Sequence, residues 1–165
     1  MARRRFQVFN GATAGLTSPL SAVTTGTSLK TMLQIKPTTP IAIIAWGYSF
    51  TTVPTTLVQV ELVTTGTAAA TVTNYAAGDI IKYDDASGSA SSISTGGGNT
   101  SGFTATGEGT ITSTRLLAAR AETGPSYESQ FPLDREPAVI AGDVLRLRAL
   151  TTVAINMLCW VTWEE

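Results

Sequence analysis

Histidine is absent from all 165 residues, and only 14% of the chain is Asp, Glu, Lys or Arg, against about 25% in an ordinary soluble domain. The first absence removes the commonest general base and metal ligand, so a Ser–His triad is excluded. A lone cysteine, Cys159, excludes an intrachain disulfide and leaves only carboxylates for a zinc site. No apolar run approaches the ~20 residues of a membrane helix; the longest, over 41–46, is far shorter. The triplet Arg3-Arg4-Arg5 looks superficially like a twin-arginine signal, but 7–15 lack an apolar core, so export is not expected. Acids are missing from the first sixty residues, which carry +5, while everything from Glu61 onward carries −6. Such polarity suits head-to-tail contact between subunits unless folding intermixes the two sets.

In place of charge the chain has Thr, Ser and Gly, which sit at a protein contact without the desolvation cost of an ion. Apolar content of 43% and a mean hydropathy of +0.17 supply ample core material for one domain. Period-two patterning and β-branched residues dominate, punctuated by Gly, Pro and Ser. Residues 1–28 read as an N-terminal arm and loop with a short edge strand at 6–9. Residues 29–165 read as a single β domain. Within it, 29–36 alternates, with Leu29, Thr31, Leu33 and Ile35 on one face. Strands are expected at 41–50, 57–64, 71–75, 80–83, 144–150 and 154–164. Residues 110–122 are ambiguous between helix and strand; strand is favoured, paired in a hairpin with 127–133. The low-complexity stretch 86–102 is expected to be a mobile surface loop. Short strands joined by short turns imply an all-β antiparallel β-sandwich of the jelly-roll type.

Two strands break the usual inward–outward alternation of a sandwich. In 41–50, Ile41, Ile43 and Ala45 share one face while Ile44, Trp46, Tyr48 and Phe50 line the other. In the last strand, Met157, Cys159, Val161 and Trp163 face one way, with Leu158 and Trp160 opposite. The outer faces are therefore expected to be covered, either by the chain's own loops or at a subunit interface, where aromatics are enriched and charges depleted. Low charge favours the interface, with Trp46, Tyr48, Phe50, Leu158 and Trp160 in it. Arg146 and Arg148, on the outer face of the penultimate strand, would pair with a neighbour's carboxylates.

Searches for chemistry return little. Cys159 lies mid-strand among large apolar residues and reads as a packed small hydrophobe. The Gly-rich pieces 96–99 and 106–110 match no phosphate loop. Asp79, Asp84 and Asp85 fit no calcium-loop spacing. Glu128, Asp134 and Glu136 read as surface carboxylates rather than a glycosidase pair. The sequon Asn99-Thr100-Ser101 is a chance occurrence in a Ser/Thr-rich loop. No catalytic residue, cofactor or metal site is expected, and no enzyme. The three arginines alone make too few phosphate contacts for specific nucleic-acid binding.

The C-terminal third runs Phe131-Pro-Leu-Asp-Arg-Glu-Pro137, then Ile140-Ala-Gly-Asp-Val-Leu-Arg-Leu-Arg148, and ends in a Trp-containing strand closed by two acids. This is similar to the closing strands of small trimeric jelly rolls, in which a Gly-Asp turn launches the penultimate strand. In that style the chain resembles the capsid decoration (cement) proteins of tailed bacteriophages. The resemblance implies a homotrimer seated on the major capsid protein, on the capsid surface of a virion assembled in the host cytoplasm. It further implies an N-terminal arm (Arg3, Arg4, Arg5, Phe6 and Phe9) that docks on the shell. Two other readings stay open: a carbohydrate- or receptor-binding jelly-roll module of a phage tail, and a small icosahedral coat protein.

Overall fold

The computed structural model describes residues 4–83, 90–97 and 99–165. Among them run thirteen strands: β1 (Arg5–Phe9), β2 (Val23–Thr24), β3 (Lys30–Ile35), β4 (Ile41–Phe50), β5 (Val58–Thr64), β6 (Thr71–Asn74), β7 (Ile81–Lys82), β8 (Gly102–Gly107), β9 (Arg115–Glu122), β10 (Ser126–Gln130), β11 (Ala138–Val139), β12 (Leu145–Leu150) and β13 (Asn156–Glu164). The helical content of the described residues is one 3-10 turn, Ala77–Asp79, and no helix is long and apolar enough to cross a membrane.

The first sheet runs β10-β4-β13-β1-β7 and the second β6-β8-β3-β12-β5-β9. Eight strands form the framework. Taken in chain order, the first of them (β1) pairs with the last (β13), β3 with β12, β4 with β10 and β5 with β9, all antiparallel. A long hairpin rolled onto itself gives this nesting, which is the jelly roll the alternation predicts. The remaining strands are additions. β6 and β8 extend the second sheet beyond β3, and β7 extends the first beyond β1.

The core lies between the sheets. Met157, Cys159, Val161 and Trp163 of β13 are fully buried there, with Leu145 and Leu147 of β12 and Val58, Val60 and Leu62 of β5. Alternation along these strands is as the sequence reads. The β4 strand is different. Opposite Trp163 stands Ile43 and opposite Thr162 stands Ala45, so Ile44 is an extra residue in the ladder. This β-bulge shifts the pleat by one, and a one-residue shift exchanges the faces. Ile41 and Ile43 point inward before it, and Trp46, Tyr48 and Phe50 point inward after it, at 1%, 0% and 8% exposure. The expected apolar outer face of β4 therefore does not exist. Trp46, Tyr48 and Phe50 belong to the chain's own core, in an aromatic cluster with Tyr127 (centroids 5.4–6.0 Å apart).

A second bulge, at Met32 of β3, turns Thr31 outward beside Arg148 instead of inward with Leu33. Over β3 and β12 the outer face of the second sheet is then roofed by the connection between β5 and β9. Gln34 donates to the carbonyls of Ala70 (3.0 Å) and Thr100 (2.6 Å) and accepts from the Ala70 amide (3.0 Å). Arg146, 0% exposed, donates to the Ala68 and Glu108 carbonyls and forms an ion pair with Glu108 at 3.2 Å. Arg148 pairs with Glu61. Both arginines thus have carboxylate partners within the chain.

Three further expectations change. The 110–122 segment is a strand, but β9 pairs with β5 while β10 pairs with β4 in the other sheet; the short Gly-Pro connection crosses between sheets rather than closing a hairpin. The N-terminal arm is not free. Phe6 (1%) and Val8 (0%) are core residues, and Phe6 stacks on Trp163 at 5.7 Å. Arg4 and Arg5 meet Glu165 and Glu164 at 3.6 and 3.2 Å, because antiparallel pairing of β1 with β13 brings the basic start to the acidic end. Folding thus brings two of the early cations to late acids. Arg3, Asp84 and Asp85 lie outside the described residues, as do 86–89 and 98 of the low-complexity stretch. Its described part is tied down: Ile93 is buried and bridges to Pro37, Ser94 donates to the Lys36 carbonyl (2.8 Å), and Ser101, fully buried, accepts from the Lys36 amide (2.9 Å).

Candidate functional site

The roof covers the β3 and β12 part of the second sheet and leaves β9 and its border with β5 exposed; the outer face of the first sheet is another accessible surface. Register alone assembles it. Across the sheet, Phe9, Trp160, Gly47 and Glu128 stand side by side, and the next row holds Gln7, Thr162, Ala45 and Gln130. Residues directly opposite on antiparallel strands lie about 5 Å apart at Cβ, so each row is a continuous strip of surface.

Trp160 is the centre of this face. It is partly exposed and makes a tilted ring contact with Phe9 at 6.1 Å. Its indole leans over Gly47: a Cβ there would come within 2.3 Å of Cζ2 and 2.7 Å of Cε2. Gly47 is thus the bed on which the ring lies. No positive backbone angle requires that glycine; the close approach of the indole does. Leu158, also partly exposed, continues the apolar strip on the same strand.

Around the indole the surface turns polar. A concavity of about 440 Å³ is lined by Trp160, Gln7, Glu128, Gln130, Tyr83 and Arg5, among others. Arg5 is held by Glu164. Gln7 accepts the Tyr83 hydroxyl at 2.8 Å through its side-chain oxygen. No hydrogen bond ties the side chains of Glu128 or Gln130 among the described residues.

Other candidate groups are spoken for. The Asp79 carboxylate accepts from the Thr13, Ala14 and Ala76 amides at 2.7–2.9 Å and closes a turn. Cys159 is fully buried, and burial pushes its thiol well above the ordinary range. Among the described residues no group of three or more Cys, Asp or Glu could hold a metal ion.

Of the residues expected at a subunit interface, then, the structure leaves Leu158 and Trp160 on an accessible face, joined there by Phe9 and Arg5. Gly47, Gln7 and Gln130 are the members that sequence reading missed. A glycine inside an otherwise apolar strand was the available signal for the first.

The molecule these observations define is an all-β jelly roll with two antiparallel sheets. No known protein family matches the chain, and neither does any curated protein. Among solved structures, a similarity is found to the crystal structure of the infectious bursal disease virus VP2 subviral particle, at 12% identity and a TM-score of 0.19. It covers 99% of this chain, which spans 42% of the length of that one. A TM-score so low does not establish a common fold; the jelly-roll assignment rests on the strand pairing above.

Proposed function

We propose that this chain is a non-enzymatic structural subunit of a virus particle, a decoration protein that sits on the capsid surface as a homotrimer and braces the major capsid protein. The observation that carries the proposal is the distribution of exposed apolar side chains. At one end of the sandwich, Val53 (65%), Leu57 (55%) and Val153 (56%) project from the connections β4–β5 and β12–β13, and Val53 and Val153 line a hollow of about 230 Å³. At the other end, Leu133 (71%) and Ile140 (60%) project from the connections flanking β11. Clustered apolar exposure of this kind marks protein contact, and two separate patches suit two partners. The three-residue end holds sister copies; the opposite end meets the shell. This replaces the basic arm, whose Phe6 is core and whose Arg4 and Arg5 are paired within the chain. Weak contacts repeated at symmetric sites then sum to firm attachment by avidity.

Sedimentation velocity on the full chain at micromolar concentration tests the first half. The expected species has three times the 17.2 kDa chain mass, and Val53→Asp with Val153→Asp converts it to a folded monomer. A wild-type monomer at that concentration overturns the trimer.

A further inference from the structure

We propose that the outer face of the first sheet is a glycan-binding site for neutral hexoses, with Trp160 as the platform on which a sugar ring stacks. The proposal goes beyond the structural role above and is independent of it, because the apolar ends and this face are different surfaces.

Three features of the face converge on a sugar. The first is the platform. Trp160 lies down over Gly47, so one side of the indole is supported by the sheet while the ring remains partly exposed. A pyranose presents a flat face of C–H groups that packs on such a surface. The second is the polar ring. Glu128 stands opposite Gly47, on the side away from Trp160, and Gln130 and Gln7 occupy the neighbouring row. Planar carboxylates and amides offer two adjacent hydrogen-bonding atoms each, which matches the vicinal hydroxyl pairs of a hexose. With no intramolecular partner for Glu128 or Gln130 among the described residues, these groups hold water that a sugar can displace. The third is size. At about 440 Å³ the concavity lies within the range of small-molecule sites.

The same residues select against charge. Glu128 supplies a negative group on the edge strand of the face, and Arg5 is ion-paired with Glu164 at 3.2 Å. A sialylated or uronic sugar would meet repulsion from Glu128, and Arg5 in the lining is already ion-paired. A protein partner fits less well, since it would have to match several uncompensated polar groups arrayed around one aromatic ring. A neutral sugar carries donors and acceptors on every hydroxyl and meets them without burying a charge of its own.

The test uses the full chain in affinity electrophoresis through gels containing dextran, mannan or soluble chitin oligosaccharides, with a glycan array for breadth. The expected result is retardation by at least one neutral glycan, together with a change in tryptophan emission on titration. Trp46 and Trp163 are buried, so acrylamide quenching should report mainly Trp160 and be protected by the bound sugar. Trp160→Ala should weaken binding by roughly tenfold or more, as loss of a central aromatic contact does. Gln130→Ala, at an exposed position that cannot unfold the sheet, should weaken it several-fold. Absence of retention by every neutral glycan overturns the proposal, as does unchanged affinity in both variants. Binding confined to sialylated or uronic glycans, or to the shell in competition with no sugar, overturns it as well.

Discussion

At the scale of single residues, two contacts organise surfaces that composition alone could not assign. Glu108 lies in a Gly-rich stretch that reads as featureless loop, yet its carboxylate accepts from the Thr31 amide and hydroxyl (2.6 Å each) and pairs with Arg146. Burial lowers the Arg146 pKa, and the neighbouring carboxylate works against that shift. Removing one partner of such a pair strands a buried charge. Glu108→Ala is expected to cost roughly 3 kcal/mol, the low end of the range because Glu108 is partly open to water. Urea denaturation followed by far-UV circular dichroism measures it. Gly47→Ala puts a methyl where the Trp160 ring lies and must push the indole off the sheet. A loss of about 1–3 kcal/mol is expected, with a red-shifted emission spectrum as the ring moves into water. An unshifted spectrum would show that the ring does not rest on Gly47.

At the scale of elements, β1 and β4 carry the main departures from the sequence reading. A triplet of arginines followed by Phe-Gln-Val-Phe has the look of a docking arm, but its alternation is that of a strand with one buried face. Whether a five-residue strand docks outward or completes the sheet of its own chain depends on β13, far along the sequence, and local pattern is silent on that. Phe6→Ala is expected to cost about 3–5 kcal/mol. Deleting residues 1–9 should therefore abolish cooperative unfolding rather than merely release a partner. A truncated chain that still melts cooperatively would return β1 to the status of an arm. In β4 every residue was correctly assigned to a strand, with the same bounds. What failed was the phase, because a bulge is one extra residue and strict period-two counting carries its error to the end of the strand. Trp46, Tyr48 and Phe50 moved from outside to inside for that reason alone. In β13, which keeps its phase through 155–163, the same counting placed Leu158 and Trp160 correctly.

At the scale of the whole molecule, burial of acidic protons sets an alkaline limit on stability. Burial pushes the Tyr75 phenol and the Cys159 thiol well above their usual values, and Tyr48 rises through burial and its hydrogen bond to Glu122. In each case the folded state holds its proton more tightly than the unfolded chain does. Stability from these groups is fully present below the unfolded values, near 9 for the thiol and 10 for the phenols, and declines as pH rises above them. The urea midpoint should be level from pH 7 to about 9 and fall steadily between pH 10 and 11. A midpoint that holds to pH 11 would mean these groups titrate freely in the fold. The nesting of first strand on last also makes nearly every pairing long-range, so refolding should be slow, on the order of milliseconds to seconds. Stopped-flow fluorescence of Trp46 and Trp163 would follow it.

Most strand positions (β2, β8 and β11 excepted), the antiparallel all-β class and the jelly-roll arrangement were legible in the chain itself, because alternation, β-branched residues and turn chemistry act over a few neighbours. The fate of each outer face was not. The Ile44 and Met32 bulges, the roof that the β5–β9 connection lays over Arg146, and the pairing of Arg4 and Arg5 with Glu165 and Glu164 all depend on contacts far apart in sequence. Only the folded chain brings those groups together, and it alone leaves Trp160 uncovered on its glycine bed.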